Sequence, residues 1–257
     1  MNPAIAAALA CGLALVGSGL GWLTLAGAGA AAVVGAAVLT GGGPAGAVLL
    51  ASFFVSGSLL TKLSHVGGRR DRLDLQSGGR RARQVLANGS WAAIGALLIP
   101  VWQGGWPLMV GALAAAQADT WATELGAFSR KPPRLISSGR VVPPGTSGGI
   151  TLTGTAGGAV GAATLAGLGA MLGPAGTALT AGLTGGVLGM MLDSLLGATL
   201  QAGYYCDSCG TAAETPAHQC GRTLTLSHGW RWLDNDAVNL VATGSGAGVA
   251  LVLWGLV

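Results

Sequence analysis

Along most of its length the chain alternates long apolar runs with short polar breaks, and the length of each run predicts what it forms. A helix that crosses a bilayer takes about 20 mainly apolar residues, with about 17 to 25 tolerated. Ala4–Leu39 is apolar throughout and too long for one crossing; Ser18-Gly19-Leu20-Gly21 divides it into two short spans. Pro44–Leu60 is predicted as the third span, because Gly41-Gly42-Gly43-Pro44 ends one helix and starts the next. Spans four and five are predicted near Val85–Trp102 and Trp106–Phe128, separated by Gln103-Gly104-Gly105. Spans six and seven follow near Ile150–Leu172 and Ala175–Gln201, joined at Gly173-Pro174, and span eight lies near Ala237–Val257. The pattern predicts an all-α fold: a polytopic transmembrane helical bundle of about seven to eight spans, one integral-membrane domain over residues 1–257.

Three polar stretches interrupt the apolar runs, at 61–84, 129–149 and 202–235, and all 13 Lys and Arg residues fall in them. Two spans separate each stretch from the next, so all three face one side. The positive-inside rule makes that side cytoplasmic. Composition narrows the class further. The chain is 51% apolar and 9% charged with 47 glycines, whereas a soluble domain is about a quarter charged. That excludes a water-soluble globule and suits small-residue helices packed closely in a lipid bilayer. The net charge of +4 does not indicate nucleic acid, because the basic residues lie in short loops between spans. Charge so placed reports topology, anionic lipid or a substrate phosphate. Met1-Asn2-Pro3 lacks the basic start of a cleaved signal, so the first helix is expected to remain in the mature chain.

Against this apolar background the acids stand out, since a carboxylate within a membrane span is costly unless it has a function or a partner. Asp119 lies roughly 13 Å from the polar end of span five, and Asp193 roughly 12 Å from that of span seven, at 1.5 Å per residue. Two acids on different helices at matched depth can converge on one cation. Glu124 lies nearer the surface of span five, and for the pair Asp119 and Glu124 packing through a bond to a neighbouring helix is the competing reading. Asp234-Asn235-Asp236 and then Asn239 cluster at the start of span eight, and Asn88 sits near the start of span four. Such hard oxygen donors suit Mg²⁺; for Asp234 and Asp236, capping of the helix start competes.

The second polar stretch ends in Val142-Pro143-Pro144-Gly145-Thr146-Ser147-Gly148-Gly149 and opens span six. Glycines let the backbone approach an anion, hydroxyls add donors, and the following helix start favours negative charge. Lys131, Arg134 and Arg140 stand close in sequence to add cationic groups for phosphates. No Walker loop is present, and a plain glycine turn with a helix cap competes. Cys206-Asp207-Ser208-Cys209 with His218 and Cys220 has the short knuckle of a structural Zn²⁺ site, although its second pair is closer than usual. Four protein ligands would leave no open position for zinc catalysis; unligated thiols compete with this reading.

The stretches QVLANG, ADTWATELG, KPPRLISSGRVVPPGTSGG, DSLLGATLQ and LDNDAVN resemble, in this order, an integral-membrane family long called a domain of unknown function, which includes transmembrane protein 19 and phytyl-phosphate kinase. The resemblance covers the chain from about Ser52 onward. It implies a prenyl-phosphate kinase that makes a diphosphate from an isoprenoid monophosphate, with Mg²⁺ and a nucleoside triphosphate, CTP foremost. It also implies site residues at Asn88, Asp119, Glu124, Lys131, Gly145, Thr146, Asp193, Asp234, Asp236 and Asn239. The residues themselves leave two alternatives open: a lipid-phosphate cytidylyltransferase, and a cation- or proton-coupled transporter using Asp119, Glu124 and Asp193.

Overall fold

A computed structural model describes residues 1–66, 79–173, 178–216, 220 and 223–256. Its helices in chain order are α1 (Pro3–Gly19), α2 (Leu25–Val66), α3 (Ala82–Leu98), α4 (Gly105–Gly126), α5 (Leu152–Leu172), α6 (Ala178–Thr199) and α7 (Asn235–Gly255). By length and composition α2, α5, α6 and α7 can each cross a membrane, and α1 is a shorter apolar helix.

The apolar run from Ala4 breaks where glycine and a tight turn allow, with Gly21 at φ 72° between α1 and α2. α2 is itself broken. Gly43 adopts φ 59° and ψ −154°, Pro44 follows, and Gly46 lies against Val38. Farther along, Trp22 packs edge-on against Phe54. The second arm of α2 therefore runs back along the first, and Gly41–Pro44 is the reversal that the glycine run predicts.

At its far end α2 corrects the expected boundaries. The helix continues to Val66, five residues past the predicted loop start at Thr61, and α3 already begins at Ala82. The reason is local. Thr61 and Ser64 return their hydroxyls to the carbonyls of Gly57 and Thr61 and also reach Glu124, so their polarity is satisfied without leaving the helix.

α4 is the centre of the bundle. It touches α2, α3, α5, α6 and α7, and every residue from Gly105 to Ala118 is buried. Protein rather than lipid surrounds it, which lets it carry polar side chains. Gln117 is fully buried and donates to the Gly161 carbonyl at 2.9 Å, while Trp121 donates to Ser56 Oγ at 3.1 Å. Glycines on α5 and α6 allow close approach: Gly158 faces the Ala118 carbonyl, Gly186 faces Ala114 and Gly189 faces Ala115. Dispersion between surfaces this close holds small-residue helices together where lipid supplies no hydrophobic drive.

The polar segments carry short strands. β1 (Arg134–Leu135) pairs antiparallel with β2 (Gly149–Ile150), and β3 (Gly203–Cys206), β4 (Thr211–Ala213) and β5 (Thr225–His228) form an antiparallel sheet in the order β4-β3-β5. The C-terminal ends of α2, α4 and α6 and the N-terminal ends of α3, α5 and α7 meet at one end of the bundle, where Ser64 bonds Glu124 and Arg83 bonds Asp234.

Candidate functional site

α4 and α6 run in the same direction, since Ala114 meets Gly186 and Ala115 meets Gly189. One helical turn beyond Ala115 and Gly189 come Asp119 and Asp193, so the two acids emerge at the same level of the bundle. Both line a cavity of about 650 Å³ at the shared end of α4, α5, α6 and α7. That is the size of a small-molecule site.

The Gly145–Gly149 turn forms a second wall. Gly148 has φ 73°, and a side chain there would overlap the Ala198 backbone on α6; Gly145, at φ 84°, faces open space. One glycine seats the loop on α6 and the other leaves its backbone exposed. Ser147 donates to Glu214, accepts from Gln201 Nε2 at 3.0 Å, and so ties the loop to the end of α6 and to the residue after β4. Lys131, Thr146 and Ser147 line the same space.

The structure thus brings together Asp119, Lys131, Gly145, Thr146, Ser147 and Asp193. It does not bring the remaining sequence candidates to the cavity wall. Arg134 is engaged within its own turn, donating to the Gly139 carbonyl at 2.8 Å, and Arg140 is exposed in that turn. Glu124 is buried on the face of α4 that meets α2, where Thr61 Oγ1 donates at 2.8 Å and Ser64 Oγ at 2.5 Å. Arg80 reaches this region between Phe53 and Phe54. Burial draws its guanidinium down to about 10, with the Glu124 charge opposing.

Asp234, Asp236, Asn88 and Asn239 belong to the region of α3 and α7. Asp234 caps α7 by accepting from the Ala237 N–H at 3.0 Å, and its other oxygen meets Arg83 at 2.7 Å. Asp236 lies 3.7 Å from Arg83 Nε. Asn88 and Asn239 each donate to a carbonyl four residues back on their own helix. Asn235, between the two acids, is the member of that triplet that lines the cavity.

Glu214 and Asn235 also line the cavity: the helix pattern did not reveal Glu214, and Asn235 lay inside the cluster at the start of span eight without being singled out. For Glu214 the available signal was an acid close after a cysteine knuckle. Asp193 has the most telling environment: its Oδ2 is buried without a hydrogen bond among the described residues, and the charges of Asp119 and Glu214 act on it. An unsatisfied carboxylate oxygen on a cavity that two further acids also line could contribute to holding a hard divalent cation such as Mg²⁺.

The cysteine knuckle stands apart from the cavity wall. The sulfur atoms of Cys206, Cys209 and Cys220 lie within 4.8 Å of one another, whereas His218 lies outside the described residues. Hydrogen bonds with Cys206 and Cys220 push the Cys209 thiol up to about 11, opposite to the lowering that activates a redox cysteine.

The model of a family described as "Integral membrane protein DUF92" matches residues 8–247. The chain belongs to the DUF92 family. The motifs quoted above, QVLANG through LDNDAVN, point to the same family. Among its relatives, the uncharacterized membrane protein MJ0933 of Methanocaldococcus jannaschii is 35% identical over 156 residues, covering 60% of this chain and 64% of that protein. Protein PGR of Arabidopsis thaliana is 31% identical over 228 residues, 77% of either chain. The chloroplastic protein VTE6 of Arabidopsis thaliana is 24% identical over 242 residues, 90% of this chain and 65% of VTE6. The DUF92 chain therefore spans less than two thirds of MJ0933 and of VTE6. No solved structure matches it.

Proposed function

We propose that this DUF92 protein is a membrane kinase that transfers the terminal phosphoryl group of a nucleoside triphosphate, CTP foremost, to an isoprenoid monophosphate. The observation that carries the proposal is the meeting of Asp119, Asp193, Lys131 and the Gly145–Gly149 turn around one cavity at the end of an apolar bundle. The motif resemblance supplies the reaction class, and the match to VTE6 along nine tenths of the chain supports it.

An oily substrate with an anionic head has to meet a water-soluble nucleotide at the membrane surface. Met190, Met191 and Ala122 give the cavity an apolar side toward the helices, suited to the isoprenoid. The loop side, with Lys131, Thr146 and Ser147, suits phosphates. The basic polar segments meet at this end, so the positive-inside rule turns the cavity to the cytoplasm.

In the reaction a phosphate oxygen of the lipid bonds to the terminal phosphorus of the nucleotide, and the bond from that phosphorus to the bridging oxygen breaks, releasing the nucleoside diphosphate. The acceptor is already an anion, so charge neutralisation and alignment matter more than a general base. Asp119 and Asp193 would hold Mg²⁺, which when bound neutralises charge on the phosphates. Lys131 places a cation at the loop wall. Asn235 and Glu214 bound the space from the α7 and β4 sides.

The test is incubation of the detergent-purified protein with Mg²⁺, CTP or ATP, and phytyl, farnesyl or geranylgeranyl monophosphate, with products read by mass spectrometry. A lipid diphosphate supports the kinase, and a CMP-lipid would replace it with a cytidylyltransferase. Absence of both from folded protein would direct attention to transport. Lys131→Ala is expected to lower kcat/KM for the nucleotide about 10- to 100-fold, the loss of one charge-assisted hydrogen bond. Unchanged steady-state kinetics would leave Lys131 with a topological role alone.

A further inference from the structure

The segment between α6 and α7 contains a sheet with very little core of its own. Among the described residues, Ala202, Tyr204, Cys206 and Leu224 are the buried apolar residues of its cluster. A cluster that small does not hold three strands in place without a crosslink, a metal or a covering surface.

The three cysteines of this segment supply the geometry of a metal crosslink. β3 ends at Cys206, whose carbonyl accepts from the N–H groups of Cys209 at 3.2 Å and Gly210 at 2.8 Å, and Gly210 takes φ 67° to let the chain return as β4. This turn aims the sulfurs of Cys206 and Cys209 to one side. Cys220 comes from beyond β4, and its sulfur lies 3.7 Å from that of Cys206. Two thiolates on one tetrahedral zinc, each bonded at about 2.3 Å, are about 3.8 Å apart. A disulfide between Cys206 and Cys220 would engage two of these sulfurs and give no reason for the third to converge on them.

We propose that Cys206, Cys209 and Cys220 bind a structural Zn²⁺ that fixes the β3–β4 hairpin and thereby holds Glu214 at the cavity. Glu214 follows β4 directly, accepts from Ser147 on the glycine turn, and its charge acts on Asp193. The metal is thus a positioning element connected to the cavity through one carboxylate. This consequence for Glu214 rests on the kinase reading; the zinc itself does not.

The test begins with metal analysis of the full-length protein, purified in reductant without chelator. About one zinc per chain is expected, with Cys206→Ser and Cys209→Ser each losing most of it and Asp193→Asn retaining it. Because the cysteine variants can misfold, a second measurement uses the wild-type protein. Read by peptide mapping, the thiols of Cys206, Cys209 and Cys220 should resist N-ethylmaleimide, become reactive after zinc is stripped with a chelator, and regain protection on addition of Zn²⁺ alone. Proteolysis within 202–235 should follow the same cycle. A protein that carries no zinc as purified and takes up none from added Zn²⁺, or that shows a Cys206–Cys220 disulfide by peptide mapping, would overturn the proposal. If Asp193→Asn is fully active while zinc remains bound, the kinase reading of that residue fails and the zinc site stands.

Discussion

Asp193→Asn is expected to reduce turnover about 1,000-fold or more while leaving the protein folded and inserted, the loss of several kcal/mol of charge stabilisation at a metal ligand. The substitution keeps the shape of the side chain and removes its charge. In the structure Asp193 Oδ2 is buried without a hydrogen bond among the described residues, near the charges of Asp119 and Glu214. Without a cation, three acids around one space repel one another. The amide variant should therefore leave the metal-free protein as stable as wild type or more so, while abolishing any rise in thermal midpoint on addition of Mg²⁺. Thermal unfolding in detergent with and without Mg²⁺, beside product formation, separates a lost metal ligand from a damaged fold. Turnover at the wild-type rate would remove Asp193 from the metal site. Loss of turnover accompanied by a lowered midpoint would assign it a packing role.

The depth of Asp119 and Asp193 was legible because both helices end in polar segments on the same side, so counting inward from each end puts the acids level. The glycine turn was legible for a related reason. Gly145 and Gly148 adopt backbone that other residues resist, and such positions mark themselves in a sequence. The reversal at Gly43 declared itself through Gly41–Pro44 in the same way.

What stayed hidden depends on partners distant in the chain. Asp234 and Asp236 turn to Arg83, some 150 residues earlier, and no local pattern announces that pairing. Arg134 is lost to its own turn through Gly139. Glu214 follows a three-residue strand in a segment without helical periodicity, so its approach to the cavity emerges only when the sheet is formed. The end of α2 escapes the pattern because hydroxyls ordinarily signal a loop, whereas Thr61 and Ser64 bond inside the bundle.

The direction of Glu124 could have been read from helix geometry. Five residues separate it from Asp119, which at about 100° per residue puts the two acids roughly 140° apart around α4. Asp119 faces the cavity and Glu124 faces α2. From this follows the second large effect: Glu124→Ala is expected to destabilise the protein by about 3–5 kcal/mol, because two hydroxyls lose the carboxylate they donate to, each such charge-assisted bond contributing about 1.5–3 kcal/mol. Arg80 makes the loss severe. Its guanidinium lies 5.4 and 5.2 Å from the ring centroids of Phe53 and Phe54. Gly57 leaves room for it, since a Cβ there would be 2.7 Å from Arg80 Nη2. With Glu124 gone, the charge remains buried without the carboxylate that opposes its desolvation, and Thr61 and Ser64 lose their shared acceptor. Glu124→Gln should be milder, because an amide oxygen can still accept from a hydroxyl. Removing both charges, Glu124→Ala with Arg80→Met, should recover part of the loss, as a double-mutant cycle would measure. The readout is reversible unfolding in mixed detergent, with turnover of the folded fraction measured in parallel. Reduced stability with near-normal turnover assigns Glu124 to the α2–α4 joint, whereas normal stability with lost turnover would bring it back to the chemistry that the family resemblance implies.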